Sequence, residues 1–244
     1  MSNEIFTHKF FGWLEAEARR HINPDGSEGA IVAVTARIAE GLTLSASIEI
    51  GPDAYISPRA KIGSDAKVGP RANIGSEAKI GPGAKIGPRA NIGPGAKIGS
   101  DADIGPYAYI GEDAKIGPGA YIGENANIGL GADIGLGADI GPGANIGPRA
   151  NIEKGDWFMS IGPIGSEGRH TTIVHKCGVG LRFWTGCFQD KTVAEFRAAI
   201  EETHGDNDHA AAYLWMLDSV DSHPEVLKRE AVTGTGADLL QAQL

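Results

Sequence analysis

Apolar residues recur along this chain with a period of six. From position 50 to position 152 every sixth residue is isoleucine, with Val68 the exception, giving eighteen positions without an insertion. Alanine stands two places before it from Ala54 to Ala150. The residue between them is polar or charged, so the triplet alternates and predicts a short strand with Ala and Ile on one face. Gly-Pro, Gly-Ser or Gly-Glu commonly follows and breaks the strand, Gly tolerating positive φ and Pro presetting its own. A fixed period of six predicts a β-solenoid. Stepping back by six reaches Leu44, Ile38 and Val32, and in the alanine phase Ile48, Leu42, Ala36 and Ala30, so the pattern holds from about residue 30.

The flanks follow other rules. The stretch Phe10-Phe11-Gly12-Trp13-Leu14-Glu15-Ala16-Glu17-Ala18-Arg19-Arg20 reads as a short amphipathic helix, closed by the turn Asn23-Pro24-Asp25-Gly26. Residues 1–29 are expected to cap the exposed end of the solenoid, which occupies residues 30–154. At Glu153-Lys154-Gly155-Asp156 the period stops. Strands are predicted over 157–163, 171–177 and 181–188, the last two forming a hairpin through Gly178-Val179-Gly180. Thr192-Val193-Ala194-Glu195 is a capping box opening a helix to about Thr203, with Gly205 closing it. Asp206-Asn207-Asp208 caps a second helix through Trp215 and Val220. Residues 155–230 thus form a small α+β module of three strands and two helices, and 231–244 a flexible tail. Phe196, Ile200, Tyr213, Trp215 and Leu217 are expected to pack the helices on the hairpin.

Composition narrows the classes. The 36 glycines and 13 prolines are periodic, so they mark turns rather than disorder. A net charge of −9 argues against a nucleic-acid partner. No apolar run is long enough for a bilayer, and no membrane partner is expected. Met1-Ser2-Asn3-Glu4 lacks the regions of a secretory signal, and two cysteines make no disulfide framework, so a cytoplasmic setting is expected.

The Ile-Gly-Pro-x-Ala-x units resemble those of the hexapeptide-repeat superfamily. That resemblance covers about half the chain. It implies a mainly β fold: a left-handed parallel β-helix of about seven coils, three hexapeptides to a coil, usually assembled as a homotrimer. The C-terminal part, with Ile161-Gly162-Pro163-Ile164, Thr171-Thr172-Ile173-Val174 and Glu202-Thr203-His204-Gly205-Asp206, resembles a small uncharacterised module of bacterial and phage-encoded proteins.

Positions eighteen apart stack, which sorts the outward residues by face. One face shows Tyr55, Asn73, Asn91, Tyr109, Asn127 and Asn145, nearly uncharged and with amides able to bond along the ladder; it is the expected protomer–protomer face. A second shows Lys61, Lys79, Lys97 and Lys115, then Asp133 and Asn151. The third shows Lys67, Lys85, Asp103, Tyr121 and Asp139.

Chemistry is scarce on these walls. Many members of the resembling superfamily are acyltransferases, and acyl transfer needs a general base, usually His, beside the acceptor. No His or Cys lies between positions 30 and 152. The favoured expectation is therefore a non-catalytic trimeric scaffold, of phage or prophage derivation, displaying its C-terminal modules to a protein or small-molecule ligand, with no cofactor. Arg169, His170, Arg182, an exposed Trp184 and His204 are the binding candidates. The alternative is an acyltransferase using acyl-coenzyme A, its base supplied from an end of the rod by His8, His21, His170 or His175. Gly162-x-x-Gly165-x-x-Gly168 lacks dinucleotide-fingerprint spacing. His170, His175, Cys177 and Cys187 lack zinc-finger spacing, and no metal is expected.

Overall fold

The computed structural model describes residues 4–164, 169–176, 179–185 and 188–221. Its body is a three-sided parallel solenoid of about seven coils, each wall a sheet whose two-residue strands repeat every eighteen residues. Lys85–Ile86 pairs in register with Lys67–Val68 on one side and Asp103–Ile104 on the other. Each step is fixed by backbone bonds such as Lys85 N–H to Ala102 O (2.8 Å) and Gly87 N–H to Ile104 O (2.7 Å). The Ile and Ala columns fill the interior, Ile86, Ile92, Ala84 and Ala90 being wholly buried. Each buried isoleucine contributes roughly 2 kcal/mol of transfer free energy.

The corner glycines act differently from the sequence expectation. Positive φ falls on the residue two places after the glycine, as at Arg89 (59°) and Tyr107 (58°), while the glycine after each isoleucine keeps an ordinary φ. Its requirement is steric. A Cβ on Gly63 would lie 2.4 Å from Pro82 N of the coil above.

The N-terminal cap is a β-hairpin, not a helix. Strands Phe6–Phe10 and Leu14–Ile22 pair antiparallel, and the second continues onto Glu28–Ala33, so the hairpin extends the first solenoid wall. Phe11 (φ 53°) and Gly12 (φ 75°) form the turn, with Trp13 N–H bonded to Phe10 O at 3.2 Å. Two positive φ values match the right-handed strand twist. Leu14, Ala16 and Ala18 face inward and alternate with exposed Glu15 and Glu17. Helical and strand periods both fit this segment; the open edge of the first coil, rich in unpaired backbone groups, selects the strand.

The far end is closed by a four-stranded antiparallel sheet of Trp157–Ile164, Arg169–Lys176, Gly180–Thr185 and Phe188–Lys191. The fourth strand occupies chain that the sequence reading left partly in the third strand. This sheet is covered on both faces. Val174 and Trp184 seal the solenoid core, while Ile173 and Phe183 pack under the helices α1 (Val193–His204) and α2 (Asp208–Asp221). Phe183 stacks on Phe196 at 4.9 Å. From Gly63 to Gly135 the corner-glycine N–H groups reach the next coil's isoleucine carbonyls. Beyond that series, the Gly147 N–H is accepted by the Thr172 hydroxyl at 2.7 Å.

Thr192 and Glu195 form the capping box of α1. The Glu195 carboxylate accepts from the Thr192 N–H and hydroxyl, both at 2.9 Å, which holds it below the usual carboxylate range. The box is therefore complete at neutral pH and lost as pH falls through that lowered titration. Asn207 caps α2 through the N–H groups of His209 and Ala210. Phe196, Ile200, Tyr213 and Leu217 are buried as expected, but Trp215 is 71% exposed and Met216 takes the inward position. The tail 231–244 lies outside the described residues.

Candidate functional site at the N-terminal end

The strand Leu14–Ile22 carries two polar side chains, Arg19 and His21, to the end of the rod. A register shift between Arg20 and Ile22 marks a bulge there. Arg20 is spent on structure, its guanidinium donating to Ala46 O (2.9 Å) and Gly29 O (3.3 Å). The turn that follows is tied down by Asn23, which accepts from Leu44 N–H at 2.9 Å and donates to Leu44 O at 3.2 Å. Asp25 closes the turn on the hydroxyl and N–H of Ser27, which hold its carboxyl below the ordinary range.

Between this strand and the first corner of the solenoid lies an open cleft of about 560 Å³. Arg19, His21 and Glu40 bring charge or basicity to it, and Ile22, Pro24 and Ile38 give it an apolar wall. His21 Nε2 lies 3.0 Å from Leu42 O. A carbonyl can only accept, so Nε2 carries the proton and neutral His21 keeps its lone pair on Nδ1. A fixed tautomer with one free basic nitrogen in a cleft is what general-base chemistry requires. Arg19 has no ion-pair partner among the described residues.

His8 is placed otherwise. Its Nε2 faces Glu49 Oε2 at 3.7 Å, beyond hydrogen-bond reach, and both atoms are buried without a bonding partner. Glu49 also pairs with Lys67 at 3.2 Å, and the His8 ring sits edge-on to Phe10 at 4.7 Å. This group fastens the hairpin to the wall.

The C-terminal binding candidates with described side chains each have their own surroundings. Trp184, expected outside, is only 2% exposed because its sheet is covered on both faces; it cannot serve as an open binding surface. Arg182 pairs with Asp190 at 3.5 Å. His204 stacks on Tyr213 at 5.8 Å, and His170 is exposed near the start of the strand Arg169–Lys176. The Arg169 side chain and both Cys177 and Cys187 lie outside the described residues. On the rod, Asn73 donates to Asn91 at 3.1 Å, the amide bonding expected of that ladder. Arg89 donates to the Tyr107 hydroxyl at 2.9 Å and lies 5.3 Å from its ring. Lys61, Lys79 and Lys97 stack in register and are exposed, and Lys115 pairs with Asp133 at 3.3 Å. No helix among the described residues is long and apolar enough to cross a membrane.

Three short-stranded walls, in-register isoleucines and a period of six define a parallel β-helix of hexapeptide repeats, and the middle of the solenoid matches a family model of that kind. Residues 77–112 and 96–130 match the family Bacterial transferase hexapeptide (six repeats). A search of the curated proteins finds no match. Among solved structures, the chain is similar to the perosamine N-acetyltransferase of Caulobacter crescentus (18% identity, 53% of this chain and 56% of that one, TM-score 0.34). It is also similar to the UDP-N-acetylglucosamine acyltransferase of Francisella novicida (23%, 50% and 51%, 0.31). A third is an N-acyltransferase of Bacillus cereus (13%, 72% and 89%, 0.33). The chain thus spans about half the length of the first two.

The family match corrects the expectation of a non-catalytic scaffold, because the repeats that seemed too bare for chemistry align with those of transferases. Absence of histidine from positions 30–152 excludes catalysis only if the base must come from the coils. The hairpin brings His21 to the coils from outside them. Sequence reading named His21 among four terminal histidines but missed Arg19 and Glu40. The strand and loop that meet here are about twenty residues apart, and no local pattern links them.

Proposed function

We propose that the chain is an acyltransferase that moves an acyl group from acyl-coenzyme A to an amine or hydroxyl, acting as a homotrimer. The observation that carries this reading is His21, held by Leu42 O with Nδ1 as its basic nitrogen, lining an open cleft. The match of the repeats to a transferase family supports it. In the reaction the acceptor heteroatom attacks the thioester carbonyl while His21 Nδ1 takes its proton. The new C–N or C–O bond forms, the C–S bond breaks, and the proton passes from His21 to the departing thiolate. The apolar wall of Ile22, Pro24 and Ile38 excludes water from one side of the reacting carbonyl.

The test is release of free thiol from acetyl-coenzyme A and longer acyl donors in the presence of amine and hydroxyl acceptors. Acceptor-dependent thiol release is expected. Absence of both release and calorimetric binding of coenzyme A across that panel would overturn the assignment.

For the trimer, the Asn/Tyr ladder is the proposed seam. Tyr55 and Tyr109 are each 46% exposed on the single chain, and from Tyr55 to Asn145 the ladder is uncharged, its one cation being Arg37 at the first step. Asn91→Lys puts an ammonium in the middle of it. Light scattering is expected to give three times 25.4 kDa for the native chain and one chain mass for the variant; an unchanged mass rejects this face.

A further inference from the structure

We infer that the N-terminal cleft selects an acceptor that is a primary amine bearing an acidic group, carboxylate or phosphate. This rests on the acyltransferase reading and names the substrate class of the same site.

The cleft presents three different polar chemistries and no surplus of any. Arg19 offers a guanidinium with no ion-pair partner among the described residues, Glu40 a carboxylate, and His21 an imidazole whose Nε2 is engaged by Leu42 O, which leaves Nδ1 as the acceptor. A hydroxyl acceptor would use the imidazole alone and gain nothing from a carboxylate nearby, which would repel any anionic group on it. An amine reaches the site as an ammonium at neutral pH, and Glu40 is the group that attracts it. Arg19 then matches a planar or tetrahedral oxyanion on the same molecule, since its fork of donors suits both carboxylate and phosphate. Arg19 and His21 are two residues apart on one strand, so their Cα atoms are separated by roughly 7 Å. A ligand with a few bonds between its anion and its nitrogen spans that gap. Ile22, Pro24 and Ile38 receive the carbon skeleton between the two charges.

Proton balance suits the same assignment. The bound ammonium first releases one proton to solvent beside Glu40 and becomes nucleophilic. As the C–N bond forms and the C–S bond breaks, the second proton goes to His21 Nδ1 and then to the thiolate. The products are the amide, the free thiol and one proton.

The experiment measures binding to the full chain and turnover separately. The probes are β-alanine, its amide, 3-hydroxypropionate and phosphoethanolamine. The native chain is expected to bind β-alanine or phosphoethanolamine about tenfold more tightly than the amide or the hydroxy acid, by calorimetry. Which of the two binds better separates carboxylate from phosphate as the acidic group. Arg19→Met is expected to remove the advantage over the amide, and Glu40→Gln the advantage over the hydroxy acid, while coenzyme A binding is unchanged in both. Equal affinity for all four probes, or a preference that survives both substitutions, overturns the inference. Selective binding of β-alanine or phosphoethanolamine without thiol release from any donor would overturn the transferase reading and leave the charge-matched site standing.

Discussion

Gly87→Ala is expected to destabilise the rod severely, while Gly119→Ala, a chemically identical change, costs far less. Both glycines sit at corners. At Gly87 an added Cβ would lie 2.7 Å from Gly105 C and Pro106 N and 2.8 Å from Ile104 O. All three are backbone atoms of the next coil. They cannot move aside, because the Gly87 N–H to Ile104 O bond at 2.7 Å fixes the rise between coils, and every coil above repeats that spacing. Close packing makes such an insertion cost about 3 kcal/mol or more. For a chain of this size that lowers the thermal midpoint by roughly 6–12 °C. At Gly119 nothing lies within 4 Å, although φ is +63°. Equivalent corners already hold Arg89 and Asp101 at similar φ, so the backbone there tolerates a side chain. Its cost is the left-handed conformation alone, about 1 kcal/mol for alanine. Calorimetric midpoints for the two variants decide the matter. If they fall together, the corner glycines are present for conformation rather than for the close approach of successive coils.

The same contrast shows why the rod was legible in the sequence. Each hexapeptide repeats one environment, so a local error would recur many times and break the period. Ile50 through Ile152 leave no alternative phase, and the stacking of Lys61 on Lys79 or Asn73 on Asn91 follows from counting eighteen. Where environments occur once, counting fails. Leu14, Ala16 and Ala18 fit a strand, but Phe10, Leu14 and Ala18 fit a helix equally, and only the unpaired edge of the first coil distinguishes them. Trp184 had an inward neighbour in Phe183 and was read as outward by alternation. Alternation was correct and its meaning was not, since the sheet has no outside: one face meets the rod, the other the helices. Trp215 lies one position from the inward Met216, a shift that helical phase from Tyr213 alone does not resolve.

The cleft is the extreme case. His21 and Leu42 belong to segments with different periodicities, and nothing in either announces the other. Their meeting depends on a hairpin that the helical reading would have abolished, since a helix would not carry Arg19 and His21 side by side along the edge of the first wall. Function was therefore misread for a structural reason. The histidines were counted by where they fall in the chain, whereas the relevant quantity is which of them the cap returns to the coil wall.

His21→Gln isolates that claim. The glutamine amide can still donate to Leu42 O, preserving the hydrogen bond that holds the native ring at 3.0 Å, but it offers no basic nitrogen to the cleft. Loss of a general base is expected to lower kcat/KM by about 10²- to 10⁴-fold. The loss should fall on kcat more than on KM, because proton removal matters in the transition state and not in donor binding. Coenzyme A affinity and the thermal midpoint should stay at native values. His8→Asn provides the contrast, since His8 Nε2 is turned to Glu49 and buried away from the cleft. It should perturb the hairpin's attachment, lowering the thermal midpoint, and leave kcat/KM near its native value. A glutamine variant that retains native kcat would remove His21 from the chemistry.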